Sequence, residues 1–122
     1  ILAGTRLPPG QPGLPDADTL AVMQRFSASQ AGNTTIGVTA TNASLSKEQA
    51  NFVAQMAQDG LARAIRPAHT LLDGDTIFTL ASGSVTADLN LVGALAAEAF
   101  AQAILRAVQT AQPMGGLPAF PI

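Results

Sequence analysis

Cysteine, tryptophan and tyrosine are absent from this 122-residue chain, and phenylalanine at five positions is its only aromatic. Without cysteine there is neither a disulfide framework nor a thiolate metal site. Without interleaved aromatics there is no stacking platform for nucleobases. Charge is thin as well: charged residues make up 11% of the chain, the net charge is -2 and the pI is near 5.0. Such a balance lacks the basic footprint that binds nucleic acid or an anionic membrane surface. No run of about 20 uninterrupted apolar residues appears, so no membrane span is expected. No cofactor motif and no metal-ligand spacing is found either. The expected setting is cytoplasmic, with no cofactor, no metal, no nucleic acid and no membrane.

What the chain does hold is apolar residues, 48% of it, much of that alanine. Alanine-rich helices present little bulk, so they are expected to pack closely against a neighbour. The length suffices for one domain with a small core. The chain opens on Ile1 rather than methionine, so the expectation is that a further N-terminal portion exists. On that expectation, a missing leader carries no information.

Residues 1–18 hold Pro8-Pro9-Gly10, Pro12-Gly13 and Pro15-Asp16, which read as turn or extended surface chain. Asp18 is placed to cap a short helix from Thr19 to Phe26. Ser27 to Gly32 then form a loose approach to Asn33-Thr34-Thr35. From Thr34 to Thr41 the pattern alternates, with Ile36, Val38 and Ala40 on one face and Thr35, Gly37, Thr39 and Thr41 on the other, which predicts a strand. Gly37 in it permits close approach of another group.

Ser46-Lys47-Glu48-Gln49 has capping-box form and opens a helix that Pro67 ends. Its apolar positions are Phe52, Val53, Met56, Ala57, Leu61, Ala64 and Ile65, and Gly60 within it implies a close contact. Asp73-Gly74-Asp75 leads into a second strand, Thr76 to Ser82. Asp88 caps a long helix to about Ala111, with Leu89, Val92, Leu95, Ala96, Ala99, Ala103, Ile104 and Val108 expected on its buried side. Two strands and two helices make an incomplete sheet, so a partner segment carrying more strands is implied.

Three stretches carry possible chemistry. An internal threonine hydroxyl is a weak nucleophile. If the Asn33-Thr34 bond is broken, however, Thr34 gains an α-amine beside its hydroxyl, the arrangement of nucleophilic catalysis by an N-terminal threonine. The same residues equally begin an ordinary strand. Asp73 and Asp75 either frame a tight turn or hold and tune a nearby amine or hydroxyl; alone they are too sparse for calcium. His69, the only histidine, lacks the serine elbow of a triad and is read as packing or capping its loop. Two glycosylation sequons, at Asn33 and Asn42, are frequent by chance.

Together, Gly32-Asn33-Thr34-Thr35-Ile36-Gly37-Val38, Ala40-Thr41-Asn42-Ala43, Asp59 to Thr70, and Asp73-Gly74-Asp75-Thr76-Ile77-Phe78 resemble the DmpA-like self-processing aminopeptidases of peptidase family S58. That group also includes the β-peptidyl aminopeptidases and the nylon-oligomer hydrolases. Threonine after Asn33, with His69-Thr70 and the Asp-Gly-Asp-Thr run downstream, is most similar to the nylon-hydrolase-like branch, since the DmpA branch has serine at that point.

The resemblance implies an α/β fold, an α-β-β-α sandwich of the N-terminal-nucleophile type, of which this chain is the C-terminal part. It implies residues 1–33 as the end of a large subunit, 34–112 as a small subunit and 113–122 as a tail. By position it makes Thr34 the nucleophile, Asn33 the residue before the cut, and Asp73 and Asp75 the carboxylates beside the nucleophile. It implies as partners the large subunit of the same precursor, further copies of the processed heterodimer, and a small peptide or amide substrate. Two other readings stay open beside it. Thr34-Thr35-Ile36-Gly37-Val38 also resembles the mature terminus of a proteasome-like threonine peptidase, although a capped helix rather than a hairpin follows here. The chain could also be a non-catalytic module whose apolar helices mediate assembly.

Overall fold

The computed structural model describes residues 19–25, 34–116 and 119–120, in the order α1 (Thr19–Arg25), β1 (Ile36–Ala43), α2 (Lys47–Ala64), β2 (Thr76–Val85) and α3 (Leu89–Thr110). The proline-rich start, the Asp18 cap, Phe26 and the approach to Asn33 lie outside the described residues. The fold is mixed α/β. Its two strands pair in parallel, Ile36 opposite Thr76 through Thr41 opposite Ala81. Parallel neighbours need a crossover, which α2 supplies.

Local chemistry sets the element ends. The Gln49 amide donates to Ser46 Oγ at 3.2 Å and the Ser46 amide donates to Gln49 Oε1 at 2.8 Å, so the capping box that starts α2 is complete. Ser46 Oγ also donates to Glu48 Oε2 and holds that carboxyl below its usual pKa. The helix closes with the Ile65 amide on the Leu61 carbonyl, two residues before Pro67. At α3 the Leu91 amide donates to Asp88 Oδ1 at 2.9 Å, as the Asp88 cap requires. β1 runs from 36 to 43, shifted from the expected 34 to 41 at the same length, and β2 runs from 76 to 85, longer than the expected 76 to 82. Beyond Thr41 the register slips, with Ala43 opposite Val85, and Gly83 with φ 76° absorbs the extra residues.

Both long helices lie on one face of the sheet. Ala57, Leu61, Ile77 and Phe100 form the core, joined by Ala54, Ile65, Ala68, Ala96 and Ile104. The Phe100 ring covers Gly37, where a Cβ would overlap it, so glycine there is a packing requirement. On α3 the expected buried side is met in part: Leu89, Val92, Ala96, Ile104 and Val108 are half-buried, with Ala96 and Ile104 against the core. The buried positions are Gly93, Ala97, Phe100 and Ala101, whereas Leu95 is 59% exposed and Ala99 and Ala103 are exposed. Small residues win these places because α2 and α3 touch backbone to backbone: a Cβ on Gly60 would overlap the Ala97 carbonyl, and one on Gly93 would overlap the Met56 thioether. Phe52, expected on the apolar side of α2, is likewise 42% exposed.

The opposite sheet face is uncovered among the described residues. Ile36, Val38, Phe78 and Leu80 are 72%, 56%, 54% and 61% exposed, and all point away from the helices. An open groove of about 820 Å³ runs between β1 and the Leu91, Leu95, Ala99 side of α3. By length and composition α3 is apolar enough to cross a membrane, with a mean hydropathy of 1.5. Here one side of it packs on α2 and β1, the other lines the groove, and Glu98 reaches Arg63 of α2 at 3.8 Å.

The close crossing gives a test. Gly60→Ala raises intrinsic helix propensity by about 1 kcal/mol, yet drives a methyl into the Ala97 carbonyl. The expected net effect is a loss of roughly 1–3 kcal/mol, measured by urea unfolding of the full-length protein. A gain in stability would mean that the helices are not in backbone contact.

Candidate active site

Parallel pairing brings the N-terminal ends of both strands to the same end of the sheet. With Ile36 opposite Thr76, the residues just before each strand, Thr34-Thr35 and Asp73-Gly74-Asp75, become neighbours although they are about 40 positions apart. The Thr35 amide donates to Asp75 Oδ1 at 2.7 Å, and the Thr76 amide donates to the Thr35 carbonyl at 2.9 Å. Both polar groups of the Thr35 backbone are thereby held against the acidic turn. The first of these bonds runs to a carboxylate in a half-buried setting, the stronger kind.

Asp73 holds the turn itself. Its Oδ2 accepts from the Thr70 amide at 2.8 Å, while its own amide donates to the Thr70 carbonyl at 3.1 Å. Thr70 Oγ1 accepts from the Leu72 amide, and Thr76 Oγ1 donates to the Gly74 carbonyl at 3.2 Å. Between the two aspartates, Gly74 presents bare backbone to Thr34: Thr34 Oγ1 lies 2.7 Å from where a Cβ at position 74 would sit.

Of the five residues that the sequence singles out, Asn33, Thr34, His69, Asp73 and Asp75, the structure thus gathers Thr34, Asp73 and Asp75 at one end of the sheet. Thr34 is exposed and both aspartates are half-buried. Among the described residues, neither carboxylate hydrogen-bonds the Thr34 hydroxyl; the contacts they make are with the Thr35 and Thr70 amides. Asn33 lies outside the described residues. His69 is exposed, has φ 59°, and makes no hydrogen bond among the described residues, so the packing and capping roles expected of it are not what it does. Among the described residues no group of three or more histidine or acidic side chains is gathered as metal ligands.

Sequence reasoning reached the aspartates and the threonine but not Thr70 or the Thr35 amide. An Asp-Gly-Asp turn announces itself; which amides its carboxylates accept follows from the strand register, which no local pattern specifies. Thr35 also lines the groove beside α3, while Thr34, Asp73 and Asp75 do not.

Comparison with known proteins supplies a frame for this geometry. The sequence profile described as "Peptidase family S58" matches residues 11–119. An uncharacterized aminopeptidase of Mycobacterium leprae is 50% identical over 103 residues, 72% of this chain and 28% of the relative. An uncharacterized aminopeptidase of Mycobacterium tuberculosis is 41% identical over 126 aligned residues, 87% of this chain and 37% of the relative. A 6-aminohexanoate-oligomer endohydrolase of a Kocuria species is 32% identical over 93 residues, 66% of this chain and 26% of the relative. The chain therefore spans only about a quarter to somewhat over a third of the length of these relatives.

The clamp on Thr35 is testable by itself. Asp75→Ala removes the acceptor of its amide, a bond to a charged group worth about 1.5–3 kcal/mol. Hydrogen exchange at Thr35 is expected to accelerate while amides in the middle of β1 keep their protection. Unchanged exchange at Thr35 would show that Asp75 does not hold it.

Proposed function

The chain belongs to peptidase family S58, and from that premise we propose that it is the nucleophile-bearing part of an amide hydrolase that cuts its own Asn33-Thr34 bond. The observation that carries this is the meeting of Thr34 with the Asp73-Gly74-Asp75 turn at the open end of the sheet. In self-cleavage, Thr34 Oγ attacks the Asn33 carbonyl carbon, the C–N bond breaks as the C–O bond forms, and the hydroxyl proton passes to the departing nitrogen. Water then hydrolyses the ester, leaving a carboxylate on Asn33 and a free α-amine on Thr34. That amine has an ordinary pKa of about 7.7–8.0, so at neutral pH a useful fraction is unprotonated and can take the hydroxyl proton.

In turnover, the activated Oγ attacks the carbonyl of a substrate amide and the leaving amine takes the proton. The acyl ester is then hydrolysed. In this reading Asp75, whose Oδ1 accepts from the next amide in the chain, and Asp73, which braces the turn through the Thr70 amide, keep the new terminus in place. The substrate class that fits is a small peptide or an oligoamide, in line with relatives named aminopeptidase and 6-aminohexanoate-oligomer endohydrolase.

The rest of the precursor is the proposed partner. Val38, Phe78 and Leu80 stand exposed on a two-stranded sheet. Burying each fully is worth about 1.5–3 kcal/mol, so this face favours a covering layer. A large N-terminal subunit from the same precursor is that layer in this reading, and processed pairs assemble further into a homo-oligomer. The proteasome-like alternative gains no support, because a capped helix follows β1 and Lys47 lies exposed in the first turn of α2.

Mass spectrometry of the full-length protein tests the proposal. Two chains are expected, the smaller beginning at Thr34, with Thr34→Ala leaving one intact, inactive chain and Thr34→Ser still processed. An active enzyme whose Asn33-Thr34 bond is whole would sink it.

A further inference from the structure

Glycine at position 74 invites a simple explanation, since Asp-Gly is a turn sequence and glycine supplies positive φ. That explanation does not apply. The positive-φ glycines among the described residues are Gly83, Gly115 and Gly116, and Gly74 is not one of them. Its backbone conformation is one that any residue with a side chain adopts. It is also exposed, so solvent would accept a methyl in most directions.

What stands in the way is one residue. Among the described residues, the three atoms nearest a Cβ at position 74 all belong to Thr34: Oγ1 at 2.7 Å, Cγ2 at 3.6 Å and Cβ at 3.7 Å. The first distance is shorter than van der Waals contact allows, so a side chain there must displace the Thr34 hydroxyl. Displacement is not readily absorbed elsewhere, because the next residue is pinned by its amide on Asp75 and its carbonyl on the Thr76 amide. The chain cannot slide along the strand to make room; the hydroxyl has to rotate.

We propose that Gly74 is a positioning residue for the Thr34 nucleophile, its missing side chain leaving the space that sets where Oγ1 rests. This rests on the reading of Thr34 as nucleophile and adds a determinant to it: the orientation of the attacking oxygen depends on the bareness of a backbone segment. An angular error in that oxygen reduces the population of attack-ready geometries, while the fold loses nothing by it.

The test uses the full-length precursor and follows conversion to two chains by time-resolved mass spectrometry, together with urea unfolding. Gly74→Ala is expected to slow processing at least tenfold with an unfolding midpoint equal to or above that of the unaltered protein, since alanine restricts the unfolded chain. Serine keeps the hydroxyl but has no methyl to place when it turns, so Gly74→Ala is expected to slow processing less in a Thr34→Ser background than beside Thr34. Processing within twofold of normal in Gly74→Ala overturns the proposal. So does a lowered unfolding midpoint, which would make Gly74 a requirement of the fold, and so does an equal effect in both backgrounds. Thr34→Ala separates the two levels. Continued processing in that variant overturns the nucleophile reading and the proposal with it, whereas loss of processing there with a normal rate in Gly74→Ala overturns the proposal alone.

Discussion

The parallel pairing of β1 with β2 is the constraint on which the candidate site depends. Antiparallel strands would place Thr34 and Asp75 at opposite ends of the sheet. Parallel strands place their starts side by side, and the register of Ile36 with Thr76 sets them level. The bond from the Thr35 amide to Asp75 Oδ1 then continues the ladder by one step beyond the backbone pairs, with a carboxylate standing in for a carbonyl. Parallel pairing is available only because α2 returns the chain across the sheet, and α2 has a defined start because Ser46 and Gln49 cap one another. The site is therefore linked, through one crossover, to a capping box at the far end of β1.

The packing follows a division between small and large apolar residues. Gly60, Gly93, Ala97 and Ala101 bring the two helices together and leave room for one large ring, Phe100, to reach down onto Gly37. The bulkier Leu91 and Leu95 are left on the groove side, and Ile36, Val38, Phe78 and Leu80 on the far face of the sheet. Among the described residues the largest fully buried side chains are Leu61 and Val53, while the bulkier Phe78 faces outward. Contiguous apolar surface of this kind marks a contact surface.

How much of this was legible in the sequence depends on the range of the interaction. The capping box at Ser46, the Asp88 cap and the stop before Pro67 are contacts between residues a few positions apart, and each is visible as a local pattern. The alternation of Ile36, Val38 and Ala40 against Gly37, Thr39 and Thr41 separated the two strand faces correctly, yet could not say which face the helices cover. The intuitive choice is the bulky one, and here the helices cover the face of glycine and threonine. The most deeply buried line of α3 lies one position off the expected stripe for a related reason. Periodicity weights leucine and valine, whereas the contact with α2 selects for smallness at Gly93, Ala97 and Ala101. Gly60 was the legible hint of that contact. At the site, residue identities were readable and bonding partners were not: Asp75 meeting the Thr35 amide is a consequence of register over 40 positions.

The position of the clamp also bears on what self-cleavage would require. If the chain is cut before Thr34, the residue that becomes terminal is the one immediately outside the last anchored unit. Thr35 keeps its amide on Asp75 and its carbonyl on the Thr76 amide, neither of which involves Thr34 or Asn33. Breaking the bond therefore removes none of the hydrogen bonds that hold the start of β1. On the proposed reading, a clamp one residue earlier would tie down the amine proposed as base, and one residue later would leave the proposed nucleophile on a loose two-residue end. With the clamp at Thr35, a cut before Thr34 would leave that residue anchored on its C-terminal side and free at its new amine. That is the combination a nucleophile needs when its own amine has to take its proton.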